Sequence, residues 1–339
     1  MTWQPGSSRR WSLAFDEVLG HEQARDGFCR ALKRGRIAHA YLLAGPEGVG
    51  KGLLALQVAA TLLCPHSGIG SSASAEVGKC GDCGSCHAVN SANHGGLQIL
   101  TPGEGRGIDL GQIREMIRFL SLRSGERRVI LIEPAERLAE PAASALLKTL
   151  EEPPPGAVFL LVCHRPAQLL TTIVSRCQRV TMGPLAREPF LEVLAGRQVD
   201  HQLACRLYQG TGGRPGAALS LFEAIERCGG EQRFRAVIAS PPEDPRDLVA
   251  ISTEDGGKPD RDAVLATVGL LADGVWAFRG DDPAGRRLAA ERATLLAQVA
   301  RHVEWSGSPD LALEAAAMIL SALDPAELRF RLPRSLGVA

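Results

Sequence analysis

Residues 44–52, Ala-Gly-Pro-Glu-Gly-Val-Gly-Lys-Gly, constrain the fold more than any other stretch of the chain. They follow the apolar run Ala40, Tyr41, Leu42, Leu43 and precede a helical pattern carrying Leu53, Leu54, Leu56 and Val58. The expected order is therefore buried strand, glycine-rich turn, helix. A phosphate cradle needs that order. Gly45, Gly48 and Gly50 let successive backbone N–H groups turn inward, the helix N-terminus adds partial positive charge, and Lys51 reaches terminal phosphates. One position departs from the pattern: a working P-loop continues with Ser or Thr, whose hydroxyl holds magnesium, and Gly52 has no side chain. The loop reads as a degenerate P-loop, with an ordinary glycine turn as the plain alternative.

Further apolar runs extend this unit. Leu97 to Leu100 forms a short strand pattern, and Val129 to Ile132 and Val158 to Val162 are continuously apolar. Between them, Ile113, Met116, Ile117 and Leu120 recur at helical spacing on one face of a helix starting near Asp109, and Ala142 to Leu150 is helical up to Pro153, Pro154 and Pro155. Strands apolar on both faces that alternate with helices predict an α/β parallel sheet covered on each side. Ligands on such sheets bind at the carboxyl ends of the strands, which aligns Lys51, Glu133, Cys163 and His164 along one rim. Upstream, Phe15 to His21 leads into a helix carrying Phe28 and Leu32 that closes at Gly35. Ser67 to Ser74, rich in Gly and Ser, reads as a mobile surface loop. Beyond Pro184 the strand signal ends. Phe190, Leu194, Leu203, Leu207, Leu219 and Leu221 predict helices to about Cys228. A second helical block is interrupted by residues 252–259 and continues through Val264, Val268, Leu271 and Val275 to Val299, Val303, Met318, Ile319 and Leu323.

A chain of 339 residues is long enough for two or three domains, each with a proper core. Lys plus Arg equals Asp plus Glu at 38 each, so no global field draws it to a nucleic acid or a membrane surface. It has no run of about 18 apolar residues and no leader-like start, so a cytoplasmic protein without membrane partners is expected. In a reducing compartment its cysteines favour a metal over disulfides. Cys80-x-x-Cys83-x-x-Cys86 supplies three thiolates to a tetrahedral Zn2+ site; Cys64, His66, His87 and, more remotely, His94 are candidates for the fourth ligand. An iron–sulfur cluster is the rival metal, with nothing else in the sequence implying redox work. Cys29, Cys163, Cys177, Cys205 and Cys228 fit apolar patterns and are expected to be buried.

Several segments together carry a family resemblance: Arg36 to Leu43, the loop, the cysteine module, Ala145-Leu-Leu-Lys-Thr-Leu-Glu-Glu-Pro-Pro154, and Ser175-Arg176-Cys177. The chain resembles bacterial clamp-loader subunits of the AAA+ class, specifically over about residues 15–183 and by pattern and length beyond. The resemblance implies an AAA+ nucleotide-type domain over 1–183 with a zinc module at about 64–94, a helical lid over 184–230 and a helical collar for oligomerisation over 231–339. It also implies Cys64 as the fourth zinc ligand beside Cys80, Cys83 and Cys86. The charged residues of the Lys148 to Glu152 stretch read as a solvated face with no catalytic role.

Such families contain an ATP-hydrolysing motor (tau/gamma) and a stator partner, and the departures separate them. Where the motor ends its third strand in Asp-Glu, this chain has Glu133-Pro134, and a proline can neither accept a proton nor orient water. Cys163 and His164 replace sensor threonines, and Gly216 aligns with the second sensor arginine, with Arg214 displaced from that place. Independent ATPase activity is not expected, while ATP or ADP binding at Gly45, Gly48, Gly50 and Lys51 stays open. Arg176 stands in an intact Ser-Arg-Cys motif and would act in trans as an arginine finger on a neighbour's phosphates, an effect of about 10³–10⁵ in rate. The implied role is loading the sliding clamp onto primed DNA for DNA polymerase III, with the motor subunits (tau/gamma), the delta subunit and, through the assembly, clamp and DNA as partners. The alternatives are a motor subunit and a stand-alone zinc-containing nucleic-acid-binding protein; the latter would want a basic stripe or aromatic platforms, against neutral charge and 4% aromatics.

Overall fold

The computed structural model describes residues 18–70, 77–103, 107–121, 127–253, 260–305 and 308–322. Phe15 to Glu17, residues 71–74 of the Ser/Gly stretch, residues 254–259 and Leu323 lie outside them. The chain divides into two compact units, Met1–Leu185 and Ala186–Ala339.

The first unit runs α1 (Glu22–Lys33), β1 (Ala40–Ala44), α2 (Lys51–Leu63), α3 (Gly84–Asn90), β2 (Leu97–Leu100), α4 (Leu110–Ser121), β3 (Arg128–Ile132), α5 (Glu140–Glu151), β4 (Ala157–Cys163), α6 (Thr171–Val174) and β5 (Gln178–Thr181). The strands form one sheet in the order β2-β3-β4-β1-β5, every pairing parallel. Side chains alternate between its faces. Tyr41, Leu43, Val129, Leu131, Leu160 and Val162 pack on one side with Phe28 and Leu32 of α1 and with Leu54, Ala55 and Val58 of α2. Leu42, Ala44, Ile130, Ile132, Phe159 and Leu161 pack on the other with Ile113 and Met116 of α4 and Leu146 and Leu150 of α5. Burial on both faces is why β1, β3 and β4 are apolar at every position but Arg128. That arginine lays its guanidinium over the Phe119 ring, 4.7 Å from its centroid.

Three expectations need correction. Ile117 is 40% exposed, because α4 buries a narrower stripe than its sequence offers. Of the five dispersed cysteines only Cys163 is buried; Cys29, Cys177, Cys205 and Cys228 are partly exposed. Ser67, expected at the surface, is buried, and its carbonyl accepts a hydrogen bond from Gly78 N–H (3.2 Å).

Among its described residues, the second unit is helical: α7 (Arg187–Ala195), α8 (His201–Thr211), α9 (Pro215–Arg227), α10 (Glu231–Ala239), α11 (Arg261–Ala277), α12 (Pro283–Trp305) and α13 (Pro309–Ser321). α11 is its central helix, packing against α8, α9, α12 and α13. Asp200 and Asp260 cap α8 and α11 by accepting first-turn N–H groups. Among the described residues no helix is long and apolar enough to cross a membrane.

Candidate nucleotide-type site and metal centre

The glycine loop closes the carboxyl end of β1. Gly45 stands at φ 155°, and a Cβ on it would lie 1.8 Å from the Met182 carbonyl oxygen, so no side chain fits there. Gly50 (φ 99°) takes the left-handed turn that starts α2. His21, at the start of α1, braces the loop through Nε2 on the Val49 carbonyl (2.9 Å). Lys51 is buried, and its Nζ folds back to donate to the Gly45 and Pro46 carbonyls (2.7 and 2.6 Å). Burial draws its ammonium down to about 8 against the opposing pull of Glu133, Glu136 and Glu47.

Glu133 stands at the end of β3, next to β4, and its carboxyl group is aimed at the first turn of α2. A Cβ on Gly52 would lie 2.7 Å from both of its oxygens. The glycine and the glutamate are therefore complementary in shape: the missing side chain leaves the volume that the longer acid occupies. Glu133 is only 6% exposed, and burial pushes its carboxyl up to about 7 despite the nearby Lys51. In this place there is neither a hydroxyl nor a short aspartate to ligate magnesium beside a phosphate.

The expected rim is assembled. Cys163 and His164 lie beside Lys51 and share their surroundings with Glu136, which sequence reasoning did not single out. Glu136 Oε1 accepts from the backbone N–H groups of His164 and Arg165 (2.9 and 3.2 Å). Burial pushes the Cys163 thiol up to about 12, with Glu136 adding to it, and burial with the charge of Lys51 lowers His164. The rim thus offers a protonated thiol and a neutral imidazole, and no threonine hydroxyl, at these two positions. Arg214 is held inside the second unit by Asp273 (2.7 Å) and the Thr211 carbonyl (2.8 Å).

Arg176 follows α6 and its C-cap Ser175. Its side chain is 36% exposed and forms an ion pair with Glu151, and one terminal nitrogen donates to the Thr172 carbonyl (3.0 Å). It stands apart from the loop's own chemistry, on a turn that leads into edge strand β5.

The four cysteines converge. Cys64 ends α2, Cys83 caps α3, Cys86 lies within it and Cys80 comes from the preceding turn; all four Sγ atoms fall within 4.8 Å of one another. The contacts Cys64–Cys80, Cys64–Cys83 and Cys80–Cys86 measure 3.7, 3.9 and 3.9 Å. A tetrahedron with metal–sulfur bonds of about 2.3 Å has edges of about 3.8 Å, so the donor set fits one ion. Backbone N–H groups of Asp82 and Cys83 draw the Cys80 thiol down to about 6, whereas burial pushes Cys86 up to about 12. His94 is not a ligand: Nε2 meets Ser85 Oγ (2.7 Å) and Nδ1 accepts from Gly96 N–H (2.9 Å), while Ser85 Oγ also donates to the Leu63 carbonyl, tying α3 to α2.

Residues 20–186 match the family model described as DNA polymerase III, delta subunit. The DNA polymerase III subunit delta' of Pseudomonas aeruginosa is 41% identical over 147 residues, 42% of this chain and 43% of that protein. Its counterpart in Bacillus subtilis is 32% identical over 176 residues, 51% of each chain, and the tau subunit of the same organism is 31% identical over 166 residues, 49% of this chain and 28% of its own length. The chain thus spans about half, or less, of the length of these curated relatives. Over the matched residues 20–186, which build the parallel sheet, the glycine loop and the cysteine cluster, the chain is similar to the delta prime subunits of DNA polymerase III.

Proposed function

We propose that this chain is a stator subunit of the bacterial clamp loader: it does not turn over ATP itself and presents Arg176 to nucleotide bound by a neighbouring motor subunit. The observation that carries the reading is the Glu133 carboxyl group seated against Gly52, where a motor would hold magnesium. Arg176 supports the second half, because it is partly exposed and lies outside this chain's own loop. In this proposal residues 184–230 are the lid and 231–339 the collar that joins the motor subunits (tau/gamma) and the delta subunit, and the assembly places the sliding clamp on primed DNA. Cys64, Cys80, Cys83 and Cys86 hold Zn2+, a structural ion that ties α3 to the end of α2 and supplies no step of the reaction. Phosphate binding by the loop's N–H groups and Lys51 is compatible with the stator role.

The test is ATP turnover by the reconstituted complex. Arg176→Ala is expected to depress turnover at the site it faces by about 10³-fold or more, equivalent to about 4 kcal/mol of barrier. The chain alone is expected to be inactive. Turnover by the isolated chain that Lys51→Ala abolishes would identify a motor subunit instead.

A further inference from the structure

We infer that Glu151, at the end of the helix before the triple proline, is the positioning residue that aims the Arg176 guanidinium. The inference rests on the reading of Arg176 as a finger. Arginine carries several soft side-chain torsions, and a partly exposed one samples many rotamers. A charge that acts only in a transition state contributes fully when it is already in place. Two contacts supply that order here. Glu151 takes one terminal nitrogen, and the Thr172 carbonyl takes the other at 3.0 Å. Of the five N–H groups of a guanidinium, two are engaged, and five minus two leaves three to donate elsewhere. Glu151 can therefore keep hold of the finger while the finger meets phosphate.

The placement of Glu151 supports this role. It lies in the last turn of α5, where the helix dipole disfavours a carboxylate. The helix dipole gives no reason for an acid there, and Lys148 one turn earlier offers only a weak surface attraction, whereas the arginine 25 residues later takes a direct ion pair. The two segments that looked separate in the sequence, Ala145 to Pro154 and Ser175 to Cys177, thus become one device. With side chains 48% and 36% exposed, the pair is a minor contributor to stability. Loss of Glu151 is expected to leave the fold unchanged.

The experiment measures kcat and KM for ATP in the reconstituted complex with wild type, Glu151→Ala, Glu151→Gln, Arg176→Ala and the double variant Glu151→Ala/Arg176→Ala. Arg176-dependent turnover is the difference between wild type and Arg176→Ala. Glu151→Ala is expected to lower it about tenfold with KM unchanged, and Glu151→Gln, which still accepts a hydrogen bond, to lower it less. The double variant should match Arg176→Ala. The inference is overturned if Glu151→Ala behaves as wild type, if it raises turnover, or if it lowers turnover further when Arg176 is already gone. If Arg176→Ala itself turns over as wild type, the finger reading has failed first and the role of Glu151 falls with it.

Discussion

Replacing Glu133 by Gln should stabilise the first unit, by an amount that grows as pH rises from about 4.5 to about 7 and disappears below that range. The carboxyl titrates near 7 in the folded chain against an ordinary value of 4.5, chiefly because it is buried. A raised carboxyl value means that the stability is fully present below about 4.5 and is lost as pH rises through about 7. The difference between the two values corresponds to a ceiling of about 3 kcal/mol. Lys51 offsets part of it, because its ammonium, itself drawn down to about 8, is favoured by the glutamate and loses that partner in the variant. The net gain expected at pH 8 is therefore about 1–3 kcal/mol. Hydrogen exchange of the β3 and β4 amides, compared between variant and wild type at the same pH, measures it. Exchange through opening of the unit should slow by roughly 5- to 150-fold at pH 8, and by less than about twofold at pH 4. A pH-independent difference, or none at pH 8, would refute the assignment of a buried, proton-sensitive carboxyl facing Gly52.

Two further outcomes follow from geometry. The purified chain should carry one zinc per molecule by elemental analysis; Cys86→Ser, which alters a fully buried ligand, should lose it, whereas His87→Ala should keep it. Gly45→Ala should destabilise the first unit by more than about 2 kcal/mol in thermal melting, because the new Cβ meets the Met182 carbonyl 1.8 Å away.

Strands β1, β3 and β4 were legible because double burial writes an unbroken apolar run, and the glycine loop because its φ angles demand its composition. Edge strand β5 left no such trace: Gln178, Arg179 and Thr181 are exposed, and its order comes from backbone pairing with β1. Glu136 was silent for another reason. It acts on the rim through N–H groups of residues 164 and 165, and only the adjacency of β3 and β4 brings it there. Gly52 and Glu133 were each readable as departures from a working site. That they fill one volume depends on the register of two elements more than 80 residues apart, which one-dimensional spacing does not carry. The cysteine cluster lay between these extremes: three ligands stood in the spacing, and the fourth needed the end of α2.

The strand order β2-β3-β4-β1-β5 also sets a timetable for synthesis. Both neighbours of β1 lie far downstream, at Ala157–Cys163 and Gln178–Thr181. From Ala44 to Cys163 is 163 − 44 = 119 residues, which at bacterial elongation rates is about 6–24 s during which a finished apolar strand has no partner on either edge. A ribosome-bound fragment ending before Ala157 presents β1 open on both sides, a state suited to capture by chaperones or by another nascent chain. The sheet closes only after the turn bearing Arg176 has emerged, so a chain that has completed its core already carries that turn.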